Sequence, residues 1–181
     1  VSETGRTHYF TPDGESLEGL FLRSPMRISR VTSPFSTNRY HPILKTWRSH
    51  KGVDYGGTAG DPVMATADGV ISFAGLKGHY GRAIIIQHGK KYSTLYAHLS
   101  RFSKHVRSDR TVTQGQIIGY VGSSGLATGS HLHYEFRVNG IHKNPLTVKL
   151  PRSFAIDRQA RAMFLESARL WSKQLDQLTS G

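Results

Sequence analysis

From about Arg27 to Leu150, short apolar or alternating runs are separated by glycines, the pattern of a mostly β domain made of many short strands. The predicted strands are Val63 to Ala67, Gly69 to Phe73, Ala83 to Gln87, Tyr92 to Leu99, Gln116 to Val121 and His131 to Val138, with Asp109 to Gly115 as a hairpin connection. After Pro151 the period changes: Ile156, Ala160, Phe164, Ala168, Trp171, Leu175 and Leu178 recur at steps of three and four. That is one amphipathic helix, with Ser153 as its N-cap, expected to pack on the β domain or on a neighbouring one. Before Arg27 a turn at Thr11, Pro12, Asp13 and Gly14 precedes an apolar patch from Leu17 to Met26, as in an arm packed onto something else. Three regions are therefore expected: an arm over 1–26, a β domain over 27–150 and a helix over 151–181.

Composition narrows the class. A chain of 181 residues, 37% hydrophobic and 20% charged, can close one hydrophobic core. No apolar run approaches the roughly 18 to 20 residues that span a bilayer. The chain opens on Val with no basic and apolar leader, so a signal or anchor is expected to have preceded it. There is no cysteine, which excludes disulfides, thiolate metal sites and a cysteine nucleophile, so any metal must sit on His and carboxylate. Twenty-four Lys and Arg against twelve Asp and Glu give a net charge of +12. Such a surface attracts polyanions: nucleic acid, anionic lipid or cell-wall polymer. Neither zinc-finger spacing nor an aromatic RNA-reading motif is present, so no nucleic-acid partner is expected.

Ten histidines raise the question of which converge. His131 and His133 lie two apart in a strand-like run, which puts both imidazoles on one face with Leu132 pointing into the core. Such a pair is either half of a metal site or two surface histidines on a solvated strand. His50 and Asp54 are separated by a segment containing Gly52 and followed by Gly56 and Gly57, which argues against a helix, so they would meet through a turn or an irregular extended stretch. Two His and one carboxylate suit a catalytic zinc, which wants three N and O ligands and one open position. His98 ends a run in which Tyr92, Thr94, Tyr96 and His98 are expected to share a face. Glu135 continues the face of His131 and His133, as a rival ligand or as an acceptor for an imidazole N–H. His41, His79, His88, His105 and His142 fall in turn or loop contexts, as solvent groups or as supports around a site.

Taken together, these segments resemble the lysostaphin-type, or LytM-like, zinc peptidases that cut peptidoglycan. The pattern is His50 to Asp54, then Tyr96 to Leu99, then Gly129, Ser130, His131, Leu132, His133, Tyr134 and Glu135. Further matches are Ser33 to Phe35, Arg39 to Pro42, Gly60 to Val63, Ala67 to Val70, Tyr80 with Gly81, Gly115 with Gln116, and Gly119 through Gly129. The likeness covers residues 27 to 150. It implies antiparallel sheets in a split-barrel or sandwich-like domain, with Zn2+ held by His50, Asp54 and His133. It also implies that His98 and His131 flank a zinc-activated water and the substrate carbonyl. Residues 9 to 35 look like the lead-in of Gram-negative murein DD-endopeptidases. That implies a periplasmic or cell-envelope enzyme acting on D-alanyl to meso-diaminopimelate crosslinks, with a regulatory or inhibitory domain or protein upstream. Some members of the family have lost ligands and serve as silent activators of other wall enzymes, whereas here every ligand position is filled.

Overall fold

The computed structural model describes residues 10–14, 20–27, 30–40, 45–150 and 158–179; Leu17, His41, Pro42, Pro151, Ser153 and Ile156, named above, lie outside these. The strands in chain order are β1 (Arg30–Ser33), β2 (Ser36–Tyr40), β3 (Trp47–His50), β4 (Val53–Gly56), β5 (Pro62–Met64), β6 (Gly69–Leu76), β7 (Arg82–His88), β8 (Tyr92–Phe102), β9 (Thr111–Val112), β10 (Ile117–Val121), β11 (His131–Val138) and β12 (Ile141–Lys143). Among the described residues a single 3-10 turn covers Gly78–Tyr80, and one helix, α1, covers Arg158–Thr179. The chain forms two compact units, Val1–Leu20 with Leu150–Gly181, and Phe21–Lys149. No helix among the described residues is long and apolar enough to cross a membrane.

The larger unit is an antiparallel sheet in the order β1-β4-β11-β8-β7-β6-β9, with β12 on β11, and β10 joining β8 to β5. The mostly β, antiparallel expectation holds, and the sheet does not close into a barrel. Alternation of side-chain direction explains β11: Leu132, Tyr134 and Phe136 go to the apolar core, leaving His131, His133 and Glu135 on the other face, where His133 and Glu135 are buried too. Tyr134 stands opposite Tyr96 in the ladder, and His133 opposite Ala97. The core joins Val53, Val63, Ile71, Ile84, Leu132 and their neighbours. Each large side chain so buried contributes roughly 1.5 to 3 kcal/mol. Phe21 and Met26 are buried as well, and the Leu22 N–H donates to the Thr66 carbonyl at 2.7 Å, tying the lead-in to the sheet.

A polar thread runs through this core. Thr66 Oγ1 lies 3.0 Å from the Tyr96 hydroxyl and 3.1 Å from that of Tyr134. Thr94 Oγ1 reaches Tyr96 at 3.1 Å and His88 Nε2 at 2.8 Å. His88 Nδ1–H donates to the Asp68 carbonyl at 2.7 Å. Thus His88 is not in a turn, as its sequence context suggests, but ends β7 as a buried and fully paired core residue.

Two other segments depart from the sequence pattern. The Asp109 to Gly115 connection contains β9, which pairs with β6. In the smaller unit, Phe164 and Ala168 are half-buried, with Phe164 edge-on to Phe10 at 5.6 Å, whereas Trp171, Leu175 and Leu178 of the same predicted stripe are exposed. The turn at Thr11 to Gly14 forms as predicted, closed by the Gly14 N–H on the Thr11 carbonyl at 2.8 Å.

Candidate metal centre

His50, Asp54 and His133 come together because the chain changes sheets at Gly52. β3, which ends on His50, pairs with β2, whereas β4 pairs with β1 and β11. Asp54 lies directly opposite His133 in the β4–β11 ladder, so the two side chains rise side by side from one face. His131, two residues earlier, lies opposite Gly56, which offers no ligand.

Asp54 Oδ1 is 3.0 Å from His50 Nε2 and 2.8 Å from His133 Nδ1, and the two nitrogens are 3.1 Å apart. The remaining ring nitrogens decide what these atoms can do. His50 Nδ1 faces the Pro34 carbonyl at 2.8 Å, which can only accept, so its proton sits there and the Nε2 lone pair points inward. His133 Nε2–H donates to Glu135 Oε1 at 3.2 Å, leaving the Nδ1 lone pair inward. Two nitrogen lone pairs and a carboxylate oxygen thus converge, all within 4.8 Å of one another, with all three residues buried or nearly so. Burial pushes the Asp54 carboxyl up, but the closeness of the His133 and His50 rings overcomes it and holds it well below the usual carboxylate range. Electron-rich atoms this close need a cation, and this N, N, O set fits a metal ion.

Glu135 is the support beneath. It is fully buried and accepts from the Tyr80 hydroxyl at 2.7 Å, from Arg137 Nε at 2.9 Å and from Arg137 Nη2, with His142 Nε2 at 3.0 Å. Burial raises its carboxyl pKa, and His133 and Arg137 more than reverse that. It is therefore a support for His133 and lies outside the converging set. His142 lies in β12 opposite Arg137 and joins that support. Arg137 was legible as the next residue on the 131, 133, 135 face; Tyr80 arrives from the 3-10 turn with no periodic signal.

His98 and His131 line the same cleft, with ring centroids 4.7 Å apart. His98 does not share a face with Thr94 and Tyr96. Its backbone takes φ 60°, and the β7–β8 register slips there, Arg82 pairing with Leu99 but Ile84 with Tyr96. This bulge turns His98 out of the core and onto the site. His98 Nδ1–H donates to the Ser124 carbonyl at 2.8 Å, and His131 Nδ1–H to the Gly129 carbonyl at 2.9 Å, so both Nε2 atoms are left as proton acceptors. Burial draws the His98 pKa down to about 4 against the raising effect of the Ser124 carbonyl. His131 Nε2 is 4.0 Å from Asp54 Oδ1.

The cleft around these groups has a volume of about 740 Å³, and the 126–130 loop and the Arg39, Arg48 and Lys51 region contribute to its lining. Its loop wall is fastened backbone to backbone. Gly81 and Gly125, both at positive φ, pack so closely that a Cβ on either would strike the other segment. The Leu126 N–H donates to the His79 carbonyl at 2.9 Å, and the Arg82 N–H to Ser124 Oγ at 2.9 Å.

Residues 48–145 match the family described as Peptidase family M23. The DD-carboxypeptidase/endopeptidase Mpg of Neisseria meningitidis is 51% identical over 141 residues, covering 77% of this chain and 32% of that protein. The peptidoglycan DD-endopeptidase ShyC of Vibrio cholerae is 39% identical over 169 residues, covering 93% of this chain and 39% of that protein. Among solved structures, a zinc containing peptidase from Vibrio cholerae superposes with a TM-score of 0.68 at 31% identity, covering 80% of this chain and 47% of that one. The chain thus spans less than half the length of each of these relatives.

Proposed function

Because the chain belongs to Peptidase family M23, we propose that it is a zinc-dependent endopeptidase hydrolysing peptide crosslinks of bacterial peptidoglycan. The bond is D-alanyl to meso-diaminopimelate, and the setting is the periplasm or cell envelope of a Gram-negative bacterium. The names of the Neisseria and Vibrio relatives, a DD-carboxypeptidase/endopeptidase and a peptidoglycan DD-endopeptidase, support peptidoglycan as the substrate. The observation that carries the chemistry is the convergence of His50 Nε2, His133 Nδ1 and Asp54 Oδ1 with both ring protons committed elsewhere.

These three residues would hold Zn2+. When bound, zinc supplies a Lewis acid that polarises the scissile carbonyl and makes a water acidic near neutral pH. The chain's own groups do the rest. Pro34 and Glu135 keep the ligand rings in the tautomer that presents a lone pair. His98 and His131, each with Nε2 as an acceptor, manage the protons: one takes the proton of the attacking water and the other serves the oxyanion or the departing amine. The division proposed is a peptidase domain over 27–150, an arm over 1–26 from an upstream regulatory domain, and a C-terminal region over 151–181 that contains α1.

Mass spectrometry of muropeptides before and after digestion tests this. Crosslinked dimers should become monomers with glycan strands intact, a chelator should abolish the reaction, and serine-directed β-lactams should leave it unchanged because no acyl-enzyme forms. Cleavage confined to sugar linkages overturns the peptidase reading. Cleavage of pentaglycine but not of direct crosslinks overturns the substrate alone.

A further inference from the structure

One part of the cleft lining is cationic. Arg39, Arg48 and Lys51 all line it, whereas the 126–130 segment contributes no charge. Arg39 and Arg48 stand directly opposite each other in the β2–β3 ladder, and like charges so placed weaken a strand pair unless an anion lies between them. Arg39 is engaged, with Nη1 on Ser33 Oγ and Nη2 3.8 Å from Asp54 Oδ2. Arg48 and Lys51 are exposed, and neither is paired with a carboxylate among the described residues. The carboxylates lining the cleft, Asp54 and Glu135, already answer to the histidines and to Arg137. Arg48 precedes His50 by two residues on β3 and Lys51 follows it directly, so both cations flank a ligand of the candidate metal centre.

The proposed substrate has a matching anion. In a D-alanyl to diaminopimelate crosslink the scissile nitrogen sits on a carbon that also bears a free carboxylate, so the carboxylate carbon lies two bonds from that nitrogen. A polyglycine bridge has no such group at that position. The geometry points to Arg48, backed by Lys51, as the site that binds this carboxylate and selects bonds whose nitrogen-side residue carries it. A guanidinium is suited to hold a carboxylate through two parallel hydrogen bonds, and the anion relieves the opposition of Arg48 to Arg39. The inference rests on the substrate reading above and adds to it the specificity-determining residues.

The test uses the full zinc-loaded chain and two purified crosslinked dimers, one with that carboxylate free and one with it converted to the amide. Wild type should prefer the free acid by about tenfold in kcat/KM, the worth of one charge-assisted pair. Arg48→Gln should lose the preference, chiefly by raising KM on the free acid, with zinc content unchanged. Arg48→Lys should keep part of it and Lys51→Gln should weaken it. Equal cleavage of both dimers by wild type overturns the inference, as does an Arg48→Gln variant that slows both dimers equally. Wild type that cuts neither dimer overturns the substrate reading, and this inference with it. Should Arg48→Gln lose zinc or fold poorly, the wild-type comparison of the two dimers and the Arg48→Lys variant decide the matter.

Discussion

A methyl group placed on Gly52 would stand 2.7 Å from Cε1 and 2.8 Å from Nε2 of His133, and 2.5 Å from the Tyr134 carbonyl. Gly52 is where the chain leaves one sheet for the other, so neither the backbone oxygen nor the ligand ring can yield without moving the other. Gly52→Ala is expected to cost about 1 to 3 kcal/mol by overpacking and to weaken zinc about 10- to 100-fold by tilting His133 off Glu135. Thermal unfolding with and without chelator separates the two effects. A variant that retains full zinc affinity would show that the ring has room after all.

The three converging residues and the two flanking histidines should separate in a metal assay. His50→Ala, Asp54→Ala and His133→Ala should each strip the zinc. His98→Ala and His131→Ala should keep it while kcat falls by about 100-fold or more. Zinc retained in His133→Ala but lost in His131→Ala would reverse the assignment of that pair.

How much of this was legible depended on the backbone. β11 begins and ends where its alternation says it does, because nothing interrupts the pleat from His131 to Val138. His131 and His133 are equivalent by that period alone; what distinguishes them is the residue across the ladder, Gly56 for one and Asp54 for the other, which no single-strand pattern contains. His98 defeated the period because one residue at positive φ reverses every facing after it. Tyr80 and Pro34 contribute a hydroxyl and a carbonyl from irregular segments, where sequence pattern has no period to follow. The helix period was visible, but Trp171, Leu175 and Leu178 show that a period does not establish which face is covered.

His88 should make stability depend on pH away from the metal site. Burial holds its pKa below the usual 6.5, although the Asp68 carbonyl acts to raise it. The unfolded chain therefore takes up a proton that the folded chain refuses. This contribution is fully present above the unfolded pKa and is lost as pH falls through the folded one. His88→Asn keeps a donor for Asp68 while removing the titration. Between about pH 7 and pH 5 its melting temperature should fall less steeply than that of wild type, from a starting stability lower by about 1 to 3 kcal/mol. Parallel slopes would assign the pH dependence to other groups.

A net charge of +12 should recruit anionic wall polymer from a distance. Because screening shortens to about 10 Å at 0.1 M salt and about 3 Å at 1 M, binding to isolated sacculi should weaken severalfold across that range. Sedimentation of protein with sacculi at stepped salt concentrations measures it. Binding that does not change with salt would remove the basic surface from the account of recruitment.

The abutment of Gly81 on Gly125 has a consequence for motion. With a 3-10 turn on one side and a glycine loop on the other, neither segment can swing away alone without breaking the Leu126 to His79 and Arg82 to Ser124 bonds together. Ser124 also holds His98 through its carbonyl. The rim of the cleft and the orientation of one imidazole therefore belong to a single opening unit, and the amides of Arg82 and Leu126 should exchange with deuterium at a common rate.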